Sequence, residues 1–227
     1  MSKSLNQLLA DLHAERVANW APEVLKVNID QRQHLLDTAD HAHFVKAGDR
    51  IEPFELLDVE GGTLSRDQLI ANGPAVLIFF RFAGCPACNI ALPYYQRRLF
   101  PELKALGVPL VAVSPQVPER LIEIKQRHQL TLQVASDPDN RLGRRLGILY
   151  SFDAASREAA QSKGKSIGEI TGTGTWELPQ PTVVVIDDQG QVAFAEVSPD
   201  WLVRTEAEPV LDVVRGLLKH RALQIAI

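Results

Sequence analysis

Two short stretches of the chain are almost wholly apolar: Ala75-Val76-Leu77-Ile78-Phe79-Phe80 and Val108-Pro109-Leu110-Val111-Ala112-Val113-Ser114. Runs of this length without apolar/polar alternation predict strands covered on both faces, as in a sheet with helices on either side. Between them the pattern changes to helical spacing. Residues 86 to about 106 predict a long helix that Pro93 should kink and Gly107 should end, and 118–128 a second helix. A helical crossover makes the first two strands parallel and the connection right-handed. Leu132–Ser136 predicts a further strand, and Asp137-Pro138-Asp139-Asn140 a turn and N-cap cluster before a helix at 141–147. Residues 181–195 read as an antiparallel hairpin that closes the sheet. The amphipathic stretch from 207 to about 222, with Val210, Leu211, Val214, Leu217 and Leu218, reads as a helix covering one face.

Upstream, Phe54–Val59 and the Gly61-Gly62 turn predict a short hairpin, and Ser65–Ile70 a helical turn. Leu5, Leu8, Leu9, Leu12 and Ala18 share one helical face. Pro22 can open a second helix that carries Val24, Leu25, Leu35, Leu36 and Ala39. The chain therefore divides into an N-terminal helical arm, residues 1–46, packed on the domain or on a partner subunit, and one domain, residues 47–227. Its class is α/β, with a mixed central sheet flanked by helices and an N-terminal helical extension. From 151 to 176 the pattern weakens: part of 153–162 reads as helical, and 162–175 as an inserted, mobile surface loop. Lys163-Gly164-Lys165-Ser166 lacks the preceding strand and the glycine at position 159 that a phosphate loop needs.

Composition narrows the function. With 45% hydrophobic and 23% charged residues the chain is ordinary globular material. The net charge of −4, with both signs interspersed, provides neither a basic stripe for nucleic acid nor a polybasic membrane patch. No run approaches the roughly 20 apolar residues that cross a bilayer, and residues 1–11 lack an apolar signal core, so a cytoplasmic location is expected. Asp40-His41-Ala42-His43 alternates residues that do not face one another on a helix, which argues for a solvated helix end rather than a metal site.

The only two cysteines are Cys85 and Cys88, in Phe82-Ala83-Gly84-Cys85-Pro86-Ala87-Cys88 directly after the first apolar run. Gly84 can supply a tight turn, and Pro86 suits the first turn of a helix. Both thiols then sit where unpaired N–H groups and the helix dipole favour a thiolate. A zinc site would need further Cys or His ligands at suitable spacing, and two inert buried thiols are the bland reading. A cytosolic pair in this context points instead to dithiol redox chemistry without a cofactor. Arg81, close in sequence to both thiols, can favour the thiolate or serve a surface ion pair.

Several segments together resemble the peroxiredoxin-like branch of the thioredoxin-fold superfamily, the alkyl hydroperoxide reductase and thiol-specific antioxidant relatives. These are Ala47-Gly48-Asp49-Arg50-Ile51-Glu52-Pro53-Phe54, the Gly61-Gly62 turn, Cys85-Pro86-Ala87-Cys88, Pro93, Ser136-Asp137-Pro138 and Pro181-Thr182. The resemblance covers about residues 47–200 and implies a thioredoxin-like fold. In the peroxiredoxin register Cys88 takes the peroxide-attacking place, Cys85 replaces the signature threonine and Arg81 the signature proline, and a second active-site arginine would fall near Gln180. In the thioredoxin register Cys85 is an exposed nucleophile, Cys88 resolves, and Pro181 is a cis proline beside the bound thiol. The resemblance implies a thiol peroxidase acting on hydrogen peroxide or organic hydroperoxides and re-reduced by thioredoxin or a similar thiol, with a homodimer as a possible assembly. A thiol–disulfide oxidoreductase and a non-enzymatic redox sensor are the alternatives.

Overall fold

The computed structural model describes residues 3–164 and 166–225. The chain begins with α1 (Leu5–Asn19) and α2 (Pro22–Asp37), the second opened by Pro22 at its first position, where no N–H is missed. The hairpin β1 (Glu55–Asp58) and β2 (Thr63–Ser65) follows, then the short α3 (Arg66–Ile70) and β3 (Ala75–Phe79). Next come α4 (Pro86–Arg98), α5 (Phe100–Ala105), β4 (Leu110–Ser114), α6 (Pro118–Arg127) and β5 (Gln133–Ser136). A 3-10 turn, Pro138–Asn140, leads into α7 (Arg141–Arg145) and β6 (Leu149–Ser151). The chain finishes with α8 (Ala154–Gln161), α9 (Ile167–Thr171), β7 (Glu177–Pro179), β8 (Thr182–Ile186), β9 (Val192–Val197) and α10 (Ala207–Ile225).

Seven strands form one mixed sheet in the order β2-β1-β5-β4-β3-β8-β9, and β6 and β7 pair apart from it. β3 is parallel to β4 and β4 to β5, as helical crossovers require, whereas β8 and β9 run antiparallel beyond β3. Every residue of β3, β4 and β8 is buried, which the unbroken apolar sequence of the first two anticipates. Alternate side chains feed two cores. One, under α1, α4, α6 and α10, holds Val76, Ile78, Val183 and Val185 together with Leu5, Leu9 and both cysteines. The other holds Leu77, Phe79, Val184 and Ile186.

Three local expectations are corrected. Helix α4 runs through Pro93 and breaks at Leu99 instead, because Pro101 in the first turn of α5 cannot continue a helix across that point. Residues 162–175 are not a loose loop: α9 buries Ile167, Gly168 and Thr171, and a Cβ on Gly168 would meet the backbone of Gly174 at 2.6 Å. Lys165, within the weak phosphate-loop likeness, lies outside the described residues. Pro181 is trans. Its carbonyl accepts from Ser198 N at 2.8 Å and Gln180 N donates to Ile148 O at 2.8 Å, so the backbone entering β8 is straight and paired and no reversal is required.

The arm lies against its own chain. Ser4 and Gln7 form a capping box at the start of α1. Glu206 accepts from Leu5 N and Asn6 N at 3.0 and 2.9 Å, so the first N–H groups of the helix are met by a carboxylate from the far end of the sequence. Helix α2 is tied to the segment after β9 by a two-pronged pair, Arg32 Nε and Nη2 donating to Asp200 at 2.7 and 2.6 Å.

Candidate functional site

Strand β3 ends at Phe79, and the chain turns over residues 81–85 to start α4 with Cys85 as its N-cap. Cys85 N donates to Phe82 O at 3.1 Å and closes the turn, and Gly84 is not in the left-handed region there. Side chains fix this loop from three sides. Ser114 Oγ donates to Arg81 O at 3.0 Å, Gln116 Oε1 accepts from Ala83 N at 2.8 Å, and Asn89 Nδ2 reaches both Ala83 O and Cys85 O at 2.8 Å. A loop so braced holds two sulfurs, one turn of helix apart, in a set position.

The sulfurs are covered. Cys85 is 1% exposed and Cys88 fully buried, which corrects the expectation of an open nucleophile at Cys85. Each has its own guanidinium: Arg81 Nη1 lies 4.0 Å from Cys85 Sγ, and Arg204 Nη2 lies 3.6 Å from Cys88 Sγ. Both arginines are buried, and Arg204 is anchored by Nε donating to Trp201 O at 3.1 Å.

These surroundings pull the two thiols in opposite directions. Burial pushes Cys85 well above the ordinary thiol value, and its hydrogen bond to Cys88 adds to the shift because only a protonated Cys85 can donate it. Burial works the same way on Cys88, but the hydrogen bond received from Cys85 and the charge and N–H of Arg204 outweigh it and hold Cys88 well below the ordinary value. Of the two, Cys88 is the sulfur whose surroundings favour the thiolate and Cys85 the one whose surroundings favour the thiol.

Arg81 faces an aromatic enclosure, its guanidinium 4.8 Å from the Trp201 ring, 5.7 Å from Phe82 and Phe152 and 5.9 Å from Tyr150. Trp201 also receives Arg16 of α1 at 5.4 Å and Arg32 of α2 at 5.9 Å. Burial pushes the Tyr150 hydroxyl up to about 12, so at neutral pH it is a donor.

Of the sequence-predicted residues, Arg81, Cys85 and Cys88 come together, while Pro181 borders a narrow cleft of about 10 Å³ beside Arg204, Tyr95 and Thr182. The guanidinium beside Cys88 comes not from the residues that precede β8 but from Arg204, in the segment after β9, which the sequence reading missed together with Trp201, Tyr150 and Arg16. The one signal for them was Trp201 and Arg204 three residues apart between the last strand and α10, in a stretch with no apolar period of its own. Among the described residues no group of His, Cys, Asp and Glu is arranged to hold a metal ion, and no helix is long and apolar enough to cross a membrane.

Comparison with known proteins agrees with this layout. Residues 47–195 match the AhpC/TSA family. A Mycobacterium tuberculosis H37Rv protein whose name assigns it provisionally to the peroxiredoxins is 26% identical over 66% of this chain and 83% of its own length. The thiol-disulfide oxidoreductase ResA of Halalkalibacterium halodurans is 24% identical over 65% of this chain and 66% of its own. Among solved structures, peroxidoxin BcpB from Mycobacterium tuberculosis superposes with a TM-score of 0.58 at 21% identity, covering 76% of this chain and 98% of that one, which shows a shared fold.

Proposed function

The chain belongs to the AhpC/TSA family, and from that premise we propose a thiol peroxidase in which Cys88 attacks the hydroperoxide and Cys85 resolves the product. The opposite pulls on the two thiols carry this reading: the sulfur beside Arg204 is shifted toward the thiolate, and its neighbour toward the thiol. In the first step the Cys88 thiolate takes the terminal oxygen of R–O–OH. The O–O bond breaks, the sulfur becomes a sulfenic acid, and RO⁻ leaves and is protonated to ROH. In the second step Cys85, as thiolate, attacks the sulfenic sulfur. An S–S bond forms, the S–O bond breaks, and the hydroxyl departs as water with the proton Cys85 gave up. A dithiol reductant then returns two electrons and two protons.

Arg81 and Arg204 are the cations left to stabilise negative charge as it moves from sulfur to the departing oxygen. Thioredoxin or a similar small thiol protein is the proposed reductant, in the cytoplasm, where disulfides are kept transient. The exposed Val17 and Leu36 on the arm are what supports a homodimer.

The likeness to a thiol–disulfide oxidoreductase gives the second reading its footing. Two buried guanidinium groups on the sulfurs suit the negative charge that develops on a departing peroxide oxygen, and that favours the peroxide reading. The test is a coupled assay with peroxide, thioredoxin, thioredoxin reductase and NADPH. Wild type should turn over, Cys88→Ser should lose all turnover, and Cys85→Ser should accumulate a sulfenic acid that a dimedone probe traps. Peroxide-independent reduction of insulin disulfides, with no gain in peroxide rate over a free thiol, would favour the second reading. Oxidation without turnover would make the pair a sensor.

A further inference from the structure

A cavity of about 700 Å³, within the size range of pockets that take whole organic molecules, lies between the N-terminal arm and the segment around α8 and α9. Val24 and Val27 of α2 stand on one wall, and Ala159, Ile167 and Ile170 on the other. Arg81 and Gly84 bring the loop before α4 into it, yet neither cysteine nor Arg204 is part of its lining. An occupant therefore sits beside the dithiol without being attacked by it.

Charge sets this cavity apart. Arg81 is 7% exposed and Trp201 2%, and among the described residues neither Arg81 Nε nor Trp201 Nε1 has an acceptor, although both residues line the cavity. Three guanidinium groups surround the Trp201 ring at 4.8–5.9 Å, from Arg81, Arg16 and Arg32. Arg32 is neutralised by Asp200. The buried Arg16 reaches only the amide oxygen of Asn28, at 3.5 Å, and the Arg81 guanidinium only Cys85 Sγ, among the described residues. The one acidic residue of the lining, Glu23, is exposed. A buried cation without an anion is costly, and an unmet buried donor adds to the cost.

We infer that the cavity is a binding site for an apolar monocarboxylate, whose two oxygens accept from Arg81 Nε and Trp201 Nε1 and whose chain or ring lies against Val24, Val27 and Ile170. A carboxylate suits the inner end because it brings two acceptor oxygens and one negative charge to a guanidinium. An inorganic anion has nothing to place against the apolar walls, and an uncharged apolar molecule leaves the cations and donors unmet. The ligand is held rather than transformed, so the inference goes beyond the peroxidase reading and does not depend on it.

The test is calorimetric titration of the reduced full chain with octanoate and with 4-butylbenzoate, one skeleton a chain and the other a ring, each set against the alcohol of the same skeleton. Wild type should bind at least one of the acids, one molecule per chain and about tenfold more tightly than the matching alcohol, because hydrogen bonds to an ionised acceptor are roughly twice as strong as neutral ones. Arg81→Met keeps the length and removes the charge. It should weaken acid binding about tenfold and leave alcohol binding within about threefold. Trp201→Phe keeps a ring, removes the indole donor and should weaken acid binding several-fold. Val27→Trp, which fills the cavity, should abolish binding of acid and alcohol alike.

Thermal midpoints show which variants are folded, and if Arg81→Met is not, Trp201→Phe and Val27→Trp decide. Failure of both acids to bind wild type overturns the site. So does an alcohol that binds as tightly as its acid, or acid binding that the folded variants leave unchanged. Each of those outcomes leaves the coupled peroxide assay, and the reading that rests on it, untouched.

Discussion

Arg204 and Arg81 divide the work at the dithiol, and the division has a measurable sign. Arg204 lies on the sulfur whose pKa is lowered. Because it is lowered, the thiolate persists to lower pH than an ordinary cysteine's and disappears as pH falls through that lowered value. Arg204→Ala should move the midpoint of the oxidation rate upward in pH. Once that midpoint passes neutrality, the peroxide rate constant at neutral pH should drop about tenfold for every further pH unit, and alkaline pH should restore it. Stopped-flow tryptophan fluorescence across pH reads this directly, and a profile that falls evenly at every pH would mean that Arg204 acts only through folding. Cysteine spacing and Arg81 were legible in the chain because a few neighbouring positions and a helix start put them together. Arg204 and Cys88 are 116 residues apart, and no local rule connects them.

At the scale of elements, the seating of α1 matters because this helix carries Arg16 to the site. Glu206 accepts from Leu5 N, from the backbone and side-chain N–H groups of Asn6 and from the Tyr94 hydroxyl at 2.8–3.0 Å. Its burial alone would raise its pKa, but these donors hold it below the usual carboxylate range. With the folded value below the unfolded one, this contribution to stability is complete above the unfolded pKa of about 4.3 and is lost as pH falls through the folded value. Glu206→Gln should remove the pH-dependent part and cost about 1 kcal/mol at neutral pH, as loss of a helix cap does. Urea unfolding at neutral and acid pH measures both, and a variant as acid-sensitive as wild type would refute the assignment. Hydrogen exchange should show the amides of α1 opening first in the variant.

For the molecule as a whole, the dithiol couples chemistry to stability. Closing the disulfide links residues three apart and should stabilise the chain by about 2 kcal/mol on the chain-entropy view. It also removes the Cys88 thiolate and leaves Arg204 buried opposite a neutral bridge, and stranding a buried charge costs about 3–5 kcal/mol. The second effect is larger, so the reduced form should be the more stable. With about 2–4 °C of midpoint for each kcal/mol in a chain of this size, the oxidised form should melt several degrees lower. Arg204→Met, which removes the charge and keeps the length, should narrow or invert the gap. Scanning calorimetry of both redox states decides it, and an oxidised wild type that melts higher than the reduced form would rule out the stranded charge as the larger effect.

At this same scale the chain's own order of residues determined the sheet's buried strands, its parallel and antiparallel halves and the dithiol at the start of α4. Those follow from short-range pattern: unbroken apolar runs, helical crossovers, a proline after a cysteine. The tertiary structure alone decided that both sulfurs are covered, that the surroundings pull Cys88 down and Cys85 up, and that Arg204, Trp201 and the N-terminal arm stand beside the dithiol. The physical reason is that pKa, burial and cavity shape depend on which distant groups are brought within a few ångströms. Residues from 16 to 204 meet there across the chain, at separations where local periodicity carries no information.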